Sequence, residues 1–239
     1  MTHTVQWTPD KVAAFWEVNH SLFARRRFSQ QVGPSLRQLV HRHLPKGAAT
    51  VVDFGCGDGT LLRQLRDDRT RLVGTDFKMP SGFQLLGNQD LATIDPSQTW
   101  FVADANTSRL DGQFDAVLLI EVVEHLDDAA LAHVLGKCRA LLKPQGVLLI
   151  TTPNDENLPN NTVNCPDCGC VFHRVQHVRA WTAETLTAAL AAQGLRAKSV
   201  CSTDLGRMQR RPLSRWLHTA MDRLDKRKMP HLVGLFQRA

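Results

Sequence analysis

The sequence predicts an α/β fold in which a doubly wound, mostly parallel sheet of seven strands is covered by helices on both faces. Short β-branched runs recur between residues 50 and 237, and segments with helical apolar periodicity separate several of them, notably Asp127 to Leu142. Alternating strands and helices require crossover connections, which produce parallel strands buried on both faces. At 239 residues and 43% hydrophobic content, the chain can bury one substantial core.

Two helices are predicted before the first strand. The motif TPD at 8–10 is a helix cap with proline at the first helical position, and the helix should continue to about Leu22. A second helix is predicted over Ser29 to Leu44, because Pro45 stops it. We expect residues 1–48 to form a helical segment that caps the cleft of a domain spanning 49–239.

Seven strands follow in the predicted order. They are TVVDFG (50–55), RLVGTD (71–76), TWFVAD (99–104), FDAVLLI (114–120), GVLLITTP (146–153), LRAKSV (195–200) and HLVGLFQ (231–237). A helix over Ala183 to Gln193 precedes the last two. Insertions are predicted at 153–180 and 206–229, and both leave the region of the sheet where ligands bind.

The first strand leads into a glycine-rich turn, VVDFGCGDGT. Gly55 and Gly57 permit a tight turn and a close backbone approach to a ligand, and Asp76 ends the next strand where ribose hydroxyls could donate to it. Asp58 stands where a helix N-terminus would otherwise receive a pyrophosphate, so the turn suits a cofactor bearing an ammonium and a sulfonium. Asp104 could accept from an adenine amine. The alternative is that these carboxylates only cap helices and turns.

Over roughly residues 48 to 200, the chain resembles class I S-adenosylmethionine-dependent methyltransferases. The matching motifs, in chain order, are DFGCGDG, Asp76, ADAN, FDAVLLIEVVEHL and LLKPQGVLLITTPN. The resemblance implies a Rossmann-like fold, with the final strand antiparallel, and S-adenosyl-L-methionine as cofactor. It implies that the methionine end meets the first turn, the ribose meets Asp76 and the adenine meets the third strand's end. The cofactor-binding residues expected from it are Asp53, Gly55, Cys56, Gly57, Asp76, Asp104, Ala105 and Ile120.

The segment EVVEHL supplies the candidate catalytic residues Glu121, Glu124 and His125. Two carboxylates and an imidazole at the carboxyl end of a strand could hold a divalent cation such as magnesium or supply a general base. The alternative is that Glu121 borders the cofactor and Glu124 complements a helix N-terminus. Ubiquinone-biosynthesis O-methyltransferases and small-RNA 2′-O-methyltransferases carry a similar Glu-x-x-Glu-His. In the latter group a downstream segment resembles QHVRAWT, which would add His177 as a fourth ligand.

The segment NCPDCGCVFHRVQH, at 164–177, has the spacing C-x2-C-x4-H-x3-H. We expect Cys165, Cys168, His173 and His177 to form a tetrahedral zinc site, with the two histidines one helical turn apart. Cys170 is a spare ligand or replaces one of the histidines. Buried or redox cysteines and a catalytic thiol are the alternatives to a zinc site. Because His177 cannot easily serve both this site and the acidic one, the two metal hypotheses compete.

The basic residues are concentrated near the C-terminus. Nine Lys or Arg and three Asp lie between 201 and 239, so the formal net charge of +6 resides there. Apolar residues at helical spacing from Pro212 to Lys228 predict an amphipathic helix packed on the domain with solvated charges. The alternatives are contact with RNA or with an anionic membrane surface. The N-terminus lacks an apolar run, so we expect a cytoplasmic location with reduced thiols.

The leading hypothesis is O-methylation of a small metabolite or of a lipid or glycan intermediate. An RNA 3′-terminal 2′-O-methyltransferase with a Glu/Glu/His/His metal site is the alternative. A non-catalytic cofactor-binding or assembly module is the third. The sequence indicates neither the methyl acceptor nor the oligomeric state.

Overall fold

The computed structural model describes residues 2–22, 28–209 and 229–239. The α-helices are α1 (Pro9–Leu22), α2 (Phe28–His43), α3 (Thr60–Leu65), α4 (Asp128–Leu141) and α5 (Ala183–Ala192). The strands are β1 (His3–Thr4), β2 (Ala49–Phe54), β3 (Thr70–Thr75), β4 (Gln84–Leu85), β5 (Thr99–Phe101), β6 (Phe114–Ile120), β7 (Leu142–Pro153), β8 (Thr162–Asn164), β9 (Cys170–His173), β10 (Leu195–Thr203) and β11 (His231–Arg238).

The main sheet confirms the predicted fold class. Its strand order is β10-β11-β7-β6-β2-β3-β5-β4, and β11 runs antiparallel to both of its neighbours while the other pairs are parallel. All seven predicted strands are present. The eighth, β4, has two residues, too few for a recognisable period in the sequence.

Helices cover both faces of this sheet. One apolar cluster packs beneath α4 and α5 and includes Leu135, Leu186 and Phe236. The other packs beneath α2 and α3 and includes Leu36 and Leu62. The direction of winding reverses between β2 and β6, which are parallel neighbours in the centre of the sheet. Ligands in open α/β sheets bind at the carboxyl ends of the strands beside such a reversal.

A second sheet joins the N-terminus to the predicted insertion. Its order is β1-β9-β8, and the Trp7 ring contacts the Phe172 ring edge to face with centroids 6.3 Å apart. The Trp16 ring of α1 contacts His125, which lies just beyond β6. We call residues 2–22 and 154–181 the roof, because these segments lie over the carboxyl ends of β6 and β7.

The histidines of the roof differ from the prediction. His173 ends strand β9, and His177 follows a turn, so the predicted helical spacing of the pair is wrong. Side chains alternate across a strand, which places Cys170 and His173 on opposite faces of β9. Most of the predicted basic helix, residues 210–228, lies outside the described residues.

In the described part of the chain, no helix is both long enough and apolar enough to cross a bilayer.

Candidate active site

The turn after β2 depends on glycine. Gly55, Gly57 and Gly59 have φ of 84°, 55° and 75°, values that disfavour residues with a side chain. A Cβ atom on Gly55 would lie 2.8 Å from Cγ2 of Val122, so this position also has no room for a side chain. The turn therefore requires glycine for its backbone angles and, at Gly55, for close packing against Val122.

Asp53, at the end of β2, is buried with 3% of its surface exposed. Its Oδ1 atom has no hydrogen-bond partner among the described residues. Desolvation, reinforced by the nearby Asp76 carboxylate, raises the pKa of Asp53 to about 7. A buried carboxylate oxygen without a donor fits a positively charged ligand, which would supply both the missing hydrogen bond and the missing charge.

The other two carboxylates of the first crossover hold the loop. Asp76 accepts hydrogen bonds from the Gly57 amide at 2.7 Å and the Phe77 amide at 2.6 Å. Asp58 accepts from the amide and hydroxyl of Thr60 at 3.0 and 2.8 Å. The capping alternative therefore holds for Asp58, and the same contact places a negative charge at the start of α3, where it disfavours a phosphate.

The remaining predicted cofactor residues differ in their surroundings. Asp104 pairs with Lys137 of α4 at 2.9 Å, and Ala105 beside it is exposed. Ile120 is buried at the end of β6. Cys56 is buried too, and desolvation raises the pKa of its thiol, so this side chain belongs to the core beneath the turn.

The segment after β6 forms a cluster of carboxylate and imidazole groups. Glu124 is 1% exposed, and its Oε1 lies 3.8 Å from Nε2 of His125 and 4.0 Å from Nε2 of His177. Ligand atoms of these three residues all lie within 4.8 Å of one another, a spacing suited to a metal ion. Oε2 of Glu124 accepts from the Thr152 hydroxyl at 2.9 Å, whereas Oε1 has no hydrogen-bond partner among the described residues.

Gln176 ties this cluster to α1. Its side-chain oxygen accepts from the Trp16 indole at 3.0 Å, and its amide nitrogen donates to the His125 carbonyl at 3.0 Å. The Trp16 ring stands edge to face against the His125 ring with centroids 4.8 Å apart. The sequence did not predict that Trp16 and Gln176 contact this cluster, because the two residues are 160 positions apart in the chain.

A second group shares His177. Glu156 hydrogen-bonds Nδ1 of His177 through Oε2 and has Oε1 3.3 Å from Nε2 of His173. Ligand atoms of these three residues also lie within 4.8 Å of one another. Glu156 was not predicted, because a single acidic residue in a loop carries no pattern of its own.

The predicted zinc ligands are divided between two places. Cys165 and Cys168 lie in the hairpin loop between β8 and β9, while His173 and His177 belong to the group with Glu156. Across residues 2–22, 28–209 and 229–239, the groups of potential metal ligands within 4.8 Å contain no cysteine. The structure thus does not assemble the four-residue set that the spacing predicted.

Burial decides the ionisation of the Glu124 cluster. Desolvation raises the pKa of Glu121 to about 7 and that of Glu124 well above its usual range, where the Glu121 charge adds to the effect. Desolvation, with the neighbouring His177, lowers the pKa of His125 to about 3. The imidazoles are therefore neutral at pH 7, and each has a nitrogen lone pair available for a proton or a cation.

The backbone is strained at the same place. Among the described residues, those other than glycine with positive φ are Glu121 (52°), Asp155 (47°) and Gln176 (59°). Glu121 begins the EVVEH segment, Asp155 precedes Glu156, and Gln176 precedes His177. Such conformations cost of order 1–3 kcal/mol each and concentrate at functional sites.

Comparison with known proteins shows which family the chain belongs to. A family model described as a methyltransferase domain matches residues 23–200. Ubiquinone biosynthesis O-methyltransferase of Paraburkholderia xenovorans is 27% identical over 156 residues, or 64% of this chain and 63% of that protein. The Cereibacter sphaeroides protein of the same name is 33% identical over 129 residues, 53% of this chain and 50% of that protein. The chain therefore matches less than two thirds of these relatives' length.

Solved structures share the fold. The 1,6-didemethyltoxoflavin-N1-methyltransferase of Burkholderia thailandensis, solved with 1,6-didemethyltoxoflavin and S-adenosylhomocysteine, has a TM-score of 0.66 and 19% identity, covering 100% of this chain and 93% of that one. A SAM-dependent methyltransferase of Archaeoglobus fulgidus has a TM-score of 0.58 and 19% identity, covering 93% and 99%. These comparisons confirm the family resemblance stated from the sequence motifs: the chain belongs to the methyltransferase-domain family.

Proposed function

We propose that this protein transfers the methyl group of S-adenosylmethionine to a hydroxyl oxygen of a small, apolar or aromatic molecule. The observation that carries the proposal is the convergence of two partnerless buried carboxylate oxygens, on Asp53 and Glu124, at the carboxyl ends of adjacent strands β2 and β6. One is suited to the cationic cofactor. The other lies in a cluster that can activate an acceptor.

The first turn fits the cofactor. When bound, S-adenosylmethionine supplies a methyl group on a sulfonium, which makes that methyl electrophilic. Asp53 would neutralise positive charge at the methionine end, and Asp76, whose carboxylate accepts from the Gly57 and Phe77 amides beside the turn, would also accept from a ribose hydroxyl. Asp104 would face the adenine with its charge balanced by Lys137.

The cluster after β6 suits a hydroxyl acceptor. A hydroxyl is a poor nucleophile at neutral pH, so the protein must align its oxygen with the methyl carbon and remove its proton. Glu121 is the candidate base, because its pKa of about 7 lies near the pH at which a base both accepts and releases protons well. The methyl–sulfur bond breaks as the oxygen–methyl bond forms, and the hydroxyl proton passes to the Glu121 carboxylate.

Glu124, His125 and His177 fit a divalent cation. Two neutral imidazoles and one carboxylate oxygen converge here, a donor set that suits manganese or zinc better than the all-oxygen preference of magnesium. Bound there, a cation would stabilise the deprotonated acceptor oxygen. It would also balance the negative charge of Glu124, which burial otherwise disfavours.

Aromatic rings border the cluster on the roof side. Trp16 contacts His125, Phe15 contacts Trp16, and Trp7 contacts Phe15, with centroids 4.8, 5.4 and 5.4 Å apart. Such a wall favours an aromatic or apolar acceptor through stacking and dispersion. The similarity to ubiquinone biosynthesis O-methyltransferases supports a hydroxyl acceptor.

A methyl-transfer assay tests the proposal. Purified protein is stripped with a chelator, reloaded with Mn²⁺, and offered S-adenosylmethionine with a panel of catechols, phenols, aliphatic alcohols and aromatic amines. We expect methyl transfer to at least one hydroxylated aromatic, at a rate that falls at least tenfold without the cation. Transfer to the amines alone would contradict the choice of oxygen, and transfer indifferent to the chelator would contradict the cation.

The RNA alternative depends on a Glu/Glu/His/His metal site, and three of its residues, Glu124, His125 and His177, lie together here. Contact with RNA or with a membrane through the basic segment 206–229 involves residues most of which lie outside the described part of the chain. Both alternatives stay predictions. Strongly salt-dependent RNA binding would favour the first.

A further inference from the structure

We propose that Glu156 and His173 position His177, by holding its proton on Nδ1 and turning the Nε2 lone pair toward Glu124 and His125. The inference deepens the proposed function, because it assigns the roof a role in building the cation and acceptor site. Its structural part, the position of one proton, stands whether or not the chain methylates anything.

The first step fixes the tautomer of His173. The backbone amide of His177 donates to Nδ1 of His173 at 3.1 Å, so that nitrogen must present a lone pair. The proton of neutral His173 therefore sits on Nε2. That nitrogen lies 3.3 Å from Oε1 of Glu156, close but not aligned as a hydrogen bond.

The second step fixes the tautomer of His177. Its Nδ1 hydrogen-bonds Oε2 of Glu156, and an ionised carboxylate can only accept. The proton of His177 therefore sits on Nδ1, which leaves Nε2 as an acceptor 4.0 Å from Oε1 of Glu124. Glu156 thus accepts a hydrogen bond from His177, the imidazole that faces the cluster, and lies close to Nε2 of His173.

The surroundings hold these groups in place. The His173 and His177 rings stack with centroids 4.5 Å apart and planes inclined by 16°. Asn161 donates its side-chain amide to Oε1 of Glu156 at 2.8 Å, which restrains the carboxylate. The exposed fractions of the His173, His177 and Glu156 side chains are 4%, 9% and 15%, so water competes little for these contacts.

The positions of the imidazole protons also distinguish a positioning role for Glu156 from a second metal site at Glu156, His173 and His177. Ligand atoms of Glu156, His173 and His177 lie close enough for an ion. However, the nitrogens that face Glu156 both carry protons in the arrangement above, and a protonated nitrogen is not a ligand. We therefore assign one ion per chain, at Glu124, with Glu156 behind the His177 imidazole. Carboxylates in that position raise metal affinity by 10–100-fold.

The direct test is ¹⁵N NMR of histidine-labelled, metal-free protein, which distinguishes a protonated ring nitrogen from a bare one. We expect His177 in the wild-type chain to carry its proton on Nδ1. We expect Glu156→Ala to lose this preference, Glu156→Asp to retain part of it, and the exposed Glu184→Gln to leave it unchanged. A wild-type His177 with its proton on Nε2, or an unchanged tautomer in Glu156→Ala, would overturn the proposal.

A titration with Mn²⁺ tests the consequence, with fluorescence of Trp16 as the readout because its ring contacts His125. We expect one equivalent in the wild-type chain and a 10–100-fold weaker affinity in Glu156→Ala. Two equivalents, or equal affinities, would overturn the assignment of Glu156 as a positioning residue. Failure of methyl transfer in the separate assay would leave these binding results intact, so the two proposals fail independently.

Discussion

The glycine turn after β2 and the insertion at 153–180 were both predicted from short sequence motifs. They differ in whether the residues that interact in the structure are also close together in the sequence. Each functional group of the turn lies in or beside one strand–turn–helix unit, so chain order places Asp53, Gly55 and Gly57 together. The insertion takes its partners from elsewhere. His177 meets Glu124, more than fifty positions earlier, and the pattern of cysteines beside it carries no information about that contact.

The two regions also use charge differently. Oδ1 of Asp53 has no hydrogen-bond partner among the described residues, whereas His177 has contacts at both ring nitrogens within the protein. The turn should therefore govern cofactor affinity, and the roof should govern acceptor activation. This division of labour can be tested variant by variant.

The largest expected effect is on turnover. His177→Ala removes one imidazole from the Glu124 cluster, and we expect the rate of methyl transfer to fall by about 10²–10⁴-fold while affinity for S-adenosylmethionine changes less than threefold. Steady-state kinetics and calorimetry measure the two quantities. His43→Ala, at an exposed position on α2, is the matched control. If His177→Ala lowered the affinity for S-adenosylmethionine as much as the rate, the assignment of separate roles to the turn and the cluster would be wrong.

The next effect is on the cofactor. Asp53→Ala removes the buried carboxylate beside the glycine turn, and we expect affinity for S-adenosylmethionine to fall by about 30–5,000-fold, because truncating a buried charge partner costs about 2–5 kcal/mol. Calorimetric titration provides the dissociation constants. Asp111→Asn changes an exposed turn carboxylate and should leave them unchanged. If the Asp53→Ala and wild-type chains bound S-adenosylmethionine with equal affinity, Asp53 would not be part of the cofactor site.

A pH dependence should accompany that site. Because burial raises the pKa of Asp53 to about 7, its carboxylate is protonated below that pH and no longer attracts the cationic cofactor. We expect affinity for S-adenosylmethionine to be about tenfold weaker at pH 6 than at pH 9. Asp53→Asn should flatten this dependence, and a wild-type affinity that rises on acidification would contradict the assignment.

The same shift has a consequence for folding. A carboxyl group with a raised pKa in the folded state binds protons more tightly there than when unfolded. The contribution of Asp53 to the free energy of unfolding of the ligand-free protein should therefore decline between about pH 4 and 7, whereas the lowered pKa of His125 contributes in the opposite direction. Denaturant titrations should find a smaller decline in Asp53→Asn. A difference in stability between the wild-type and Asp53→Asn chains that stays constant over this interval would show that the pKa of Asp53 is not raised.

The smallest expected effect concerns the cysteines. If His177 serves Glu124 rather than a zinc clip, the double change Cys165→Ser and Cys168→Ser should alter Mn²⁺ affinity and methyl transfer less than twofold. Elemental analysis with a thiol titration reports any ion the pair holds. If this variant lost one equivalent of bound zinc, and if variants of His173 and His177 lost it as well, the predicted tetrahedral zinc site would be supported.

Periodicity and turn chemistry were sufficient for most of the fold. The strands, the helix starts at Pro9 and Asp128, and the glycine turn all follow from local residues, and family motifs added the cofactor. The EVVEH segment was correctly placed at the end of β6. In contrast, the H-x3-H spacing suggested a helix where the chain forms β9, because a four-residue strand ending in a turn offers too few positions to distinguish the periods.

The remaining features lay beyond sequence reasoning for physical reasons. Trp16, Gln176 and Glu156 reach the cluster only through tertiary packing of the roof. One carboxylate oxygen of Asp53 and one of Glu124 have no hydrogen-bond partner among the described residues. That property depends on the atoms that surround each oxygen in the fold, which the spacing of residues in the sequence does not reveal. Local patterns thus located the edge that carries the chemistry, while the roles within it required the assembled structure.

The most direct test of the division between turn and cluster is an anomalous diffraction experiment on crystals grown with S-adenosylhomocysteine and Mn²⁺. We predict one manganese peak bounded by Glu124, His125 and His177, with the cofactor sulfur turned toward it and the amino-acid end beside Asp53. A peak at Cys165 and Cys168, or a ligand seated away from the glycine turn, would contradict the account.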